Sequence, residues 1–282
     1  MTTDTGLGAL AGRVALVTGC GRENGIGFAI AKRLAGLGAA VAMTDARRSG
    51  VGNAGESDQD LDQGVGLDGL ARRLRDEGHR AVDLYGDVSR PGVAEELVAG
   101  AVAEFGRLDI LVNNAAAPQG DDRRPLDEVP DSAFDHLVSV NLYGVFQMCR
   151  AAVPAMRENG HGRIVNIASM YARKGFPFTA VYSMTKAGVI GLSQAAAVEL
   201  APHGITVNAV CPGFIQTSRV ESGMRRRGVT SEAEWFEAIG GVPVGRNGRP
   251  EDIAAAVSAL VGDDAGYITA QSITVDGGKL GF

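Results

Sequence analysis

The sequence predicts an α/β fold: one doubly wound parallel sheet of about seven strands with helices on both faces. Three observations predict it. Short, nearly continuous apolar runs recur along the chain, longer helical patterns separate them, and a glycine-rich turn follows the first run. Strands that are apolar at successive positions are buried on both faces, and sheets covered in that way are parallel. Right-handed crossovers then wind the chain to both sides of a central strand.

Taken in order, the first strand is 14–17 (VALV), and a helical pattern follows over 26–37. The second strand is 40–43, and the third, at 80–85, comes after another helical pattern. Runs at 108–112, 164–168, 205–210 and 273–275 complete the set. No linker divides the chain, so 1–282 reads as a single domain. Two stretches break the rhythm. Residues 47–66 are rich in Gly, Asp and Ser and read as a surface insertion. Residues 218–241 carry Arg225, Arg226, Arg227 and the single tryptophan, Trp235, and follow a strand end. Ligands of such sheets bind at strand ends, so this stretch reads as a substrate lid.

Composition narrows the function classes. The formal net charge is −6, with no basic stripe, which argues against a nucleic-acid partner. Cys20, Cys149 and Cys211 form no CxxC pair, so neither a disulfide framework nor a metal site is expected, and a reducing cytoplasm fits. The N-terminal residues lack a basic-then-apolar signal pattern, and no uncharged apolar run approaches the ~18 residues of a membrane helix. A soluble, unprocessed, cytoplasmic chain is the expectation.

The glycine-rich turn is TGCGRENGIG, residues 18–27. Between a strand and a helix such a turn cradles a pyrophosphate. Gly19 makes the tight turn, Gly25 and Gly27 allow close approach, and the helix starting near Ile26 points its positive end at the phosphates. The second strand runs into Asp45, 18 residues past Gly27, near the interval expected for an acid on the adenosine ribose. A carboxylate there accepts both ribose hydroxyls and repels a 2′-phosphate, which argues for NAD. Arg22, Arg47 and Arg48 pull toward NADP.

Tyr182 and Lys186, in YSMTK, are four apart in a helical pattern and so share a face. Ser169 lies thirteen residues upstream at the end of a strand run, and Asn141 sits mid-helix, where a buried amide needs a reason. Together with the Asp87-Val88 pair, NNAA at 113–116, Pro212-Gly213, Thr217, GRPEDIA and ITVDGG, these motifs resemble the short-chain dehydrogenase/reductase family over 12–278.

The resemblance implies a Rossmann-like domain, a homotetramer or homodimer, and a hydride moved between NAD(H) and a carbonyl or secondary alcohol. It implies that Tyr182 transfers the proton, and that Lys186 lowers the Tyr182 pKa and binds the nicotinamide ribose. Ser169 would bind the substrate oxygen, and Asn141 would hold a water linking Lys186 to solvent. Asp87 and Val88 would contact adenine, Asn113 would stabilise the central sheet near the cofactor, and Ala115 would lie beside the cofactor. Pro212, Gly213 and Ile215 would line the nicotinamide, and Thr217 would reach its carboxamide or the phosphates. The chain departs from the family pattern in its longer phosphate loop, five residues between Gly19 and Gly25 instead of three, which leaves open whether Gly21 or Arg22 faces the cofactor.

Free tyrosine, with a pKa near ~10, is a poor base at neutral pH, and a cation within ~4–6 Å corrects this. Hydride chemistry belongs to the cofactor, so no metal is needed. Tyr171, Phe176 and Trp235 are candidate substrate contacts that could equally be packing aromatics. The arginine run Arg225 to Arg227 reads first as a solvated face and second as a contact for an anionic substrate. Two competing functions are a 3-oxoacyl thioester reductase using NADPH, which Asp45 opposes, and a nucleotide-sensing regulator without catalysis, which should have lost Tyr182, Lys186 or Ser169. The substrate itself is not legible.

Overall fold

A computed structural model describes residues 8–53, 56 and 65–281. Strand β1 (Val14–Thr18) lies at the centre of the sheet, buried along its whole length. It pairs in parallel with β2 (Ala40–Asp45) on one side and β4 (Ile110–Asn113) on the other, so that Leu16 stands between Ala42 and Leu111. β3 (Ala81–Tyr85) extends the sheet beyond β2. On the far side follow β5 (Gly162–Ile167), β6 (Ile205–Pro212) and β7 (Ser272–Val275). The order β3-β2-β1-β4-β5-β6-β7 is the expected doubly wound sheet of seven parallel strands.

The helices, in chain order, are α1 (Ile26–Gly36), α2 (Gly66–Asp76), α3 (Val93–Phe105), α4 (Asp131–Val138), α5 (Val145–Asn159), α6 (Ala180–Leu200), α7 (Ser218–Arg226), α8 (Glu232–Ala238) and α9 (Pro250–Val261). Ile30 and Leu34 of α1, Leu67 and Leu70 of α2, and Ile253 and Val257 of α9 pack against Val41, Ile110 and Val165 on one sheet face. Leu97 of α3, Met148 of α5 and Val189 of α6 pack against Leu16, Ile164 and Val207 on the other. Burying such side chains supplies about 1.5–3 kcal/mol each, which is why two-sided burial outweighs local propensity in these strands. Among the described residues no helix is long and apolar enough to cross a membrane.

The winding reverses between β1 and β4, and a crevice opens there at the carboxyl ends of the strands. Thr18, Asp45, Asn113, Ile167 and Pro212 all end strands at that edge. Between α4 and α5 the helix widens to a π segment, Ser139–Gly144. Asn141 therefore sits in a bulged turn rather than in the ordinary helix its sequence suggests, and such bulges occur frequently at functional sites.

Residues 54–55 and 57–64 of the 47–66 stretch lie outside the described residues. The rest is not simply surface. Asn53 is 6% exposed. Its carboxamide accepts from the Gln119 backbone N–H at 3.1 Å and donates to the Ser218 hydroxyl at 3.3 Å.

Candidate active site

A cleft of about 660 Å³ opens over β1, β2 and β4, and its walls include Gly19, Gly25, Ile26, Asp45, Asp87, Val88 and Ala115. Gly19 has φ +76°, and a Cβ on it would come within 2.8 Å of the Asn114 amide. A Cβ on Gly27 would meet the Gly19 carbonyl at 2.2 Å. The start of α1 thus rests directly on the loop, and only hydrogen fits. No side chain caps α1 at Gly25, so its first-turn N–H groups remain free to meet an anion at the cleft. This cradle fits a dinucleotide pyrophosphate.

Asp45 accepts from the Gly21 N–H and the Ala46 N–H, both at 2.8 Å. Burial raises its pKa, against those backbone hydrogen bonds and the Arg22 charge. Gly21 therefore orients the acid. Arg22 lines the cleft, but its guanidinium is committed elsewhere, donating to both oxygens of Glu56 at 3.1 and 2.7 Å. Arg48 pairs with Asp68 at 2.9 Å. Of the three arginines that favoured a 2′-phosphate, Arg47 is left at the cleft without an ion pair among the described residues.

Asn113 braces the central sheet, as expected of it, and makes no wall of the cleft. Its carboxamide points into the sheet, donating to Asn166 at 2.8 Å and Cys149 at 3.3 Å. The neighbouring Asn114 walls the cleft. Its amide donates to the carbonyls of Thr18 and Gly19, and the Thr18 hydroxyl accepts from the N–H groups of Asn114 and Ala115. The doublet NNAA signalled this region, but the end of β4 falls between the two asparagines, and the one past it faces the crevice.

A second cavity of about 640 Å³ adjoins the first, sharing Ile26, Asn114, Ala116, Thr217 and Arg219 with it. Ser169, Tyr182 and Lys186 meet in its wall, with Pro212, Gly213 and Ile215 beside them. One helical turn of α6 brings Tyr182 and Lys186 together. Lys186 is 2% exposed and donates to the Ile167 carbonyl at 2.7 Å. Burial holds it below the usual ammonium pKa, opposed by Tyr182. Burial alone would raise the Tyr182 phenol. The charges of Lys186, Arg219 and Arg123 and a hydrogen bond with Ser169 outweigh burial and bring it below its ordinary value. Asn141 is fully buried, accepting from the Ala117 N–H at 2.8 Å and donating to the Thr185 hydroxyl at 3.2 Å. It ties the loop after β4 to the residue next to Lys186.

Tyr171, Phe176 and Trp235 all wall this second cavity. Tyr171 stacks on Phe176 at 4.5 Å and meets Tyr182 edge-on at 6.0 Å. Trp235, from α8, is 4% exposed and meets Phe214 edge-on at 5.8 Å. Helices α7 and α8 roof the cavity, and Lys279 holds the end of the roof by donating to the carbonyls of Ile239, Gly240 and Gly241. The Thr217 hydroxyl donates to the Ile215 carbonyl at 3.2 Å. Arg123 and Arg219 were not foreseen. The first lies in an aperiodic loop. The second stands two residues past Thr217, and that proximity is its one sequence signal.

A glycine-cradled cleft at the strand ends, beside a cation-flanked phenol, suits a nucleotide-dependent oxidoreductase. Similarity to known proteins gives the same class. A family model described as enoyl-(acyl carrier protein) reductase matches residues 19–279. The chain is 38% identical over 266 residues to the short-chain reductase protein NovJ of Streptomyces niveus, covering 94% of this chain and 93% of that one. It is 36% identical over 269 residues to the 3-oxoacyl-(acyl-carrier-protein) reductase FabG of Escherichia coli, covering 95% and 97%. The solved structure of a double mutant of a short-chain dehydrogenase/reductase from Serratia marcescens matches with a TM-score of 0.78 and 34% identity, covering 96% of this chain and 99% of that one. The chain belongs to the short-chain dehydrogenase/reductase family, and it is an oxidoreductase that uses NAD(P)(H).

Proposed function

We propose that this chain is an NAD(H)-dependent alcohol dehydrogenase or ketoreductase for a small or medium organic substrate, with Tyr182 as general acid and base. The observation that carries the reading is a phenol held below its ordinary pKa by Lys186, Arg219 and Arg123 at the wall of an aromatic-lined cavity. When bound, the nicotinamide cofactor supplies or accepts the hydride.

The chain's residues do the remaining work. Tyr182 gives its proton to the carbonyl oxygen in reduction and takes it back in oxidation. The Ser169 hydroxyl donates to that oxygen as negative charge develops on it. Lys186 stabilises the phenolate and binds the nicotinamide ribose. Asn141 fixes the turn of α6 that carries both and holds a water on the proton path. Pro212, Gly213, Ile215 and Thr217 border the nicotinamide, while Gly19, Gly25, Ile26 and Ala115 cradle the phosphates. Asp87 and Val88 border the adenine.

Asp45 sets the nucleotide, because its carboxylate repels a 2′-phosphate while Arg22 and Arg48 are paired elsewhere. Wild-type kcat/KM should favour NADH over NADPH by about tenfold or more, and Asp45→Ala should narrow that ratio. A wild type that prefers NADPH would mean that Arg47 governs the choice instead. That outcome would favour the 3-oxoacyl thioester reading, which the likeness to FabG supports. A panel of ketones and alcohols followed by NADH absorbance tests the activity itself.

Residues 218–241 act as a lid, closing over the substrate and excluding water. Amide exchange in α7 and α8 should slow at least about tenfold from the apo chain to a ternary complex with NADH and a substrate analogue. Equal protection in both states removes the lid.

A further inference from the structure

The second cavity is unevenly charged. Arg123, Arg219, Arg226 and Arg227 stand in its wall, and no Asp or Glu is among the described residues that line it. Arg227 rests on the Trp235 ring at 5.2 Å. Arg219 also walls the nucleotide cleft, so phosphates can answer its charge. Its Nη2 donates to the Ala116 and Ala117 carbonyls, while its Nη1 is buried without a hydrogen-bond partner. Arg123 and Arg226 border the substrate cavity and not the cleft.

The Arg123 side chain is 7% exposed. Its Nε lies 3.1 Å from Asp122 but is not aligned for a hydrogen bond, so the pair is a charge contact alone. Its guanidinium lies 4.5 Å over the Tyr182 ring and 5.9 Å from the Tyr171 ring. Arg226 reaches over from α7 and donates to Ser222 at 2.8 Å and to Gln119 at 2.5 Å. Burial, then repulsion from Arg123, holds Arg226 below its usual pKa, with Asp122 opposing. Asp122 answers both guanidiniums, Arg123 well buried and Arg226 at the exposed side, so this wall of the cavity keeps an excess of positive charge that an arriving anion would balance.

We infer, on the reading of the reaction proposed above, that the substrate is an oxo acid and its alcohol partner a hydroxy acid, with the carboxylate received by Arg123 and Arg226. A guanidinium offers paired donors matched to a carboxylate. The aromatic walls, Tyr171, Phe176, Phe214 and Trp235, suit an organic acid with an apolar body better than a compact inorganic anion. Because Arg123 overlies Tyr182, the carboxylate sits a few bonds from the reacting carbon. In reduction that carbon gains the hydride from the reduced nucleotide, its oxygen takes the Tyr182 proton, and the carboxylate is unchanged.

The test compares a series of short aliphatic oxo acids, each against its own uncharged amide, in the full-length enzyme with NADH. For at least one chain length kcat/KM should be about tenfold or more higher for the acid, and Arg123→Gln and Arg226→Gln should each bring that ratio toward unity. Trp235, the one tryptophan of the chain, gives a readout independent of turnover. Hexanoate added to the NADH complex should change its fluorescence, hexanamide should not, and either variant should weaken hexanoate binding about tenfold. Arg123→Gln leaves Asp122 buried and unpaired, so a variant that fails to fold there leaves Arg226→Gln, at the exposed side, to decide. A wild-type acid-to-amide ratio near one, or a ratio unmoved in the folded variants, overturns the inference while leaving the dehydrogenase reading intact. If no ketone of any charge were reduced, that reading would fall. Hexanoate binding sensitive to Arg226 would still uphold the anion site, and its absence would overturn it.

Discussion

Tyr182→Phe is expected to lower kcat by about 10²–10⁴-fold, the range that a well-positioned proton transfer contributes. At ~1.36 kcal/mol per tenfold this is roughly 3–5 kcal/mol of barrier. The variant keeps the ring that Tyr171 meets edge-on and Arg123 overlies, and loses only the hydroxyl. NADH affinity should stay within a factor of about two, measured by cofactor fluorescence titration. The competing phenol is Tyr171, 6.0 Å away. Burial, opposed by Arg123, raises its pKa while that of Tyr182 is lowered, so at a given pH less of Tyr171 than of Tyr182 is phenolate. A variant keeping more than about a tenth of the wild-type rate would hand the proton to another group.

Lys186→Met should cost about 10²-fold or more in kcat and, unlike Tyr182→Phe, should move the pH profile. Oxidation of an alcohol needs the phenolate, so its rate rises as pH climbs through the Tyr182 pKa, which lies below the ordinary phenol value. Lys186 is the first of the charges that lower it. With Lys186 gone, burial has only Arg219, Arg123 and Ser169 against it, and the rising limb shifts to higher pH. Reduction needs the phenol and falls above the same pKa, so its falling limb shifts upward as well. Profiles in both directions, wild type against variant, check the sign. Superimposable limbs would mean that Lys186 holds the cofactor without tuning the phenol.

The strands were legible because burial on both faces leaves an apolar run that needs no alternation, as in β1 and in the first four residues of β2. The cradle and the Tyr182–Lys186 pair were legible because each rests on local geometry, a glycine-only contact in one and a single helical turn in the other. What escaped depends on distant chain. Arg123 reaches Tyr182 across 59 positions from a loop with no period. The partner of Arg22 is Glu56, 34 residues on, in a stretch of low apolar content. Asn113 and Asn114 are the same residue type side by side, but Asn113 ends β4 with its amide on Asn166, while Asn114, the first residue past the strand, faces the crevice. The run Arg225 to Arg227 is exposed, as a solvated helix face should be, and what the sequence could not show is that Arg226 also borders the substrate cavity.

Asn53 joins parts of the enzyme that are usually treated as separable. Through Ser218 it grips the first turn of α7, through Gln119 it grips the rim of the substrate cavity, and its own N–H donates to the Glu56 carboxylate that holds Arg22. The wall of the first cleft that carries Asn53 and the roof over the second cavity are therefore tied to each other by hydrogen bonds. For enzyme engineering this removes a convenient assumption: grafting a different 47–66 loop to change nucleotide preference also re-tensions the substrate pocket, so a library built on that loop has to be screened on both reactants at once.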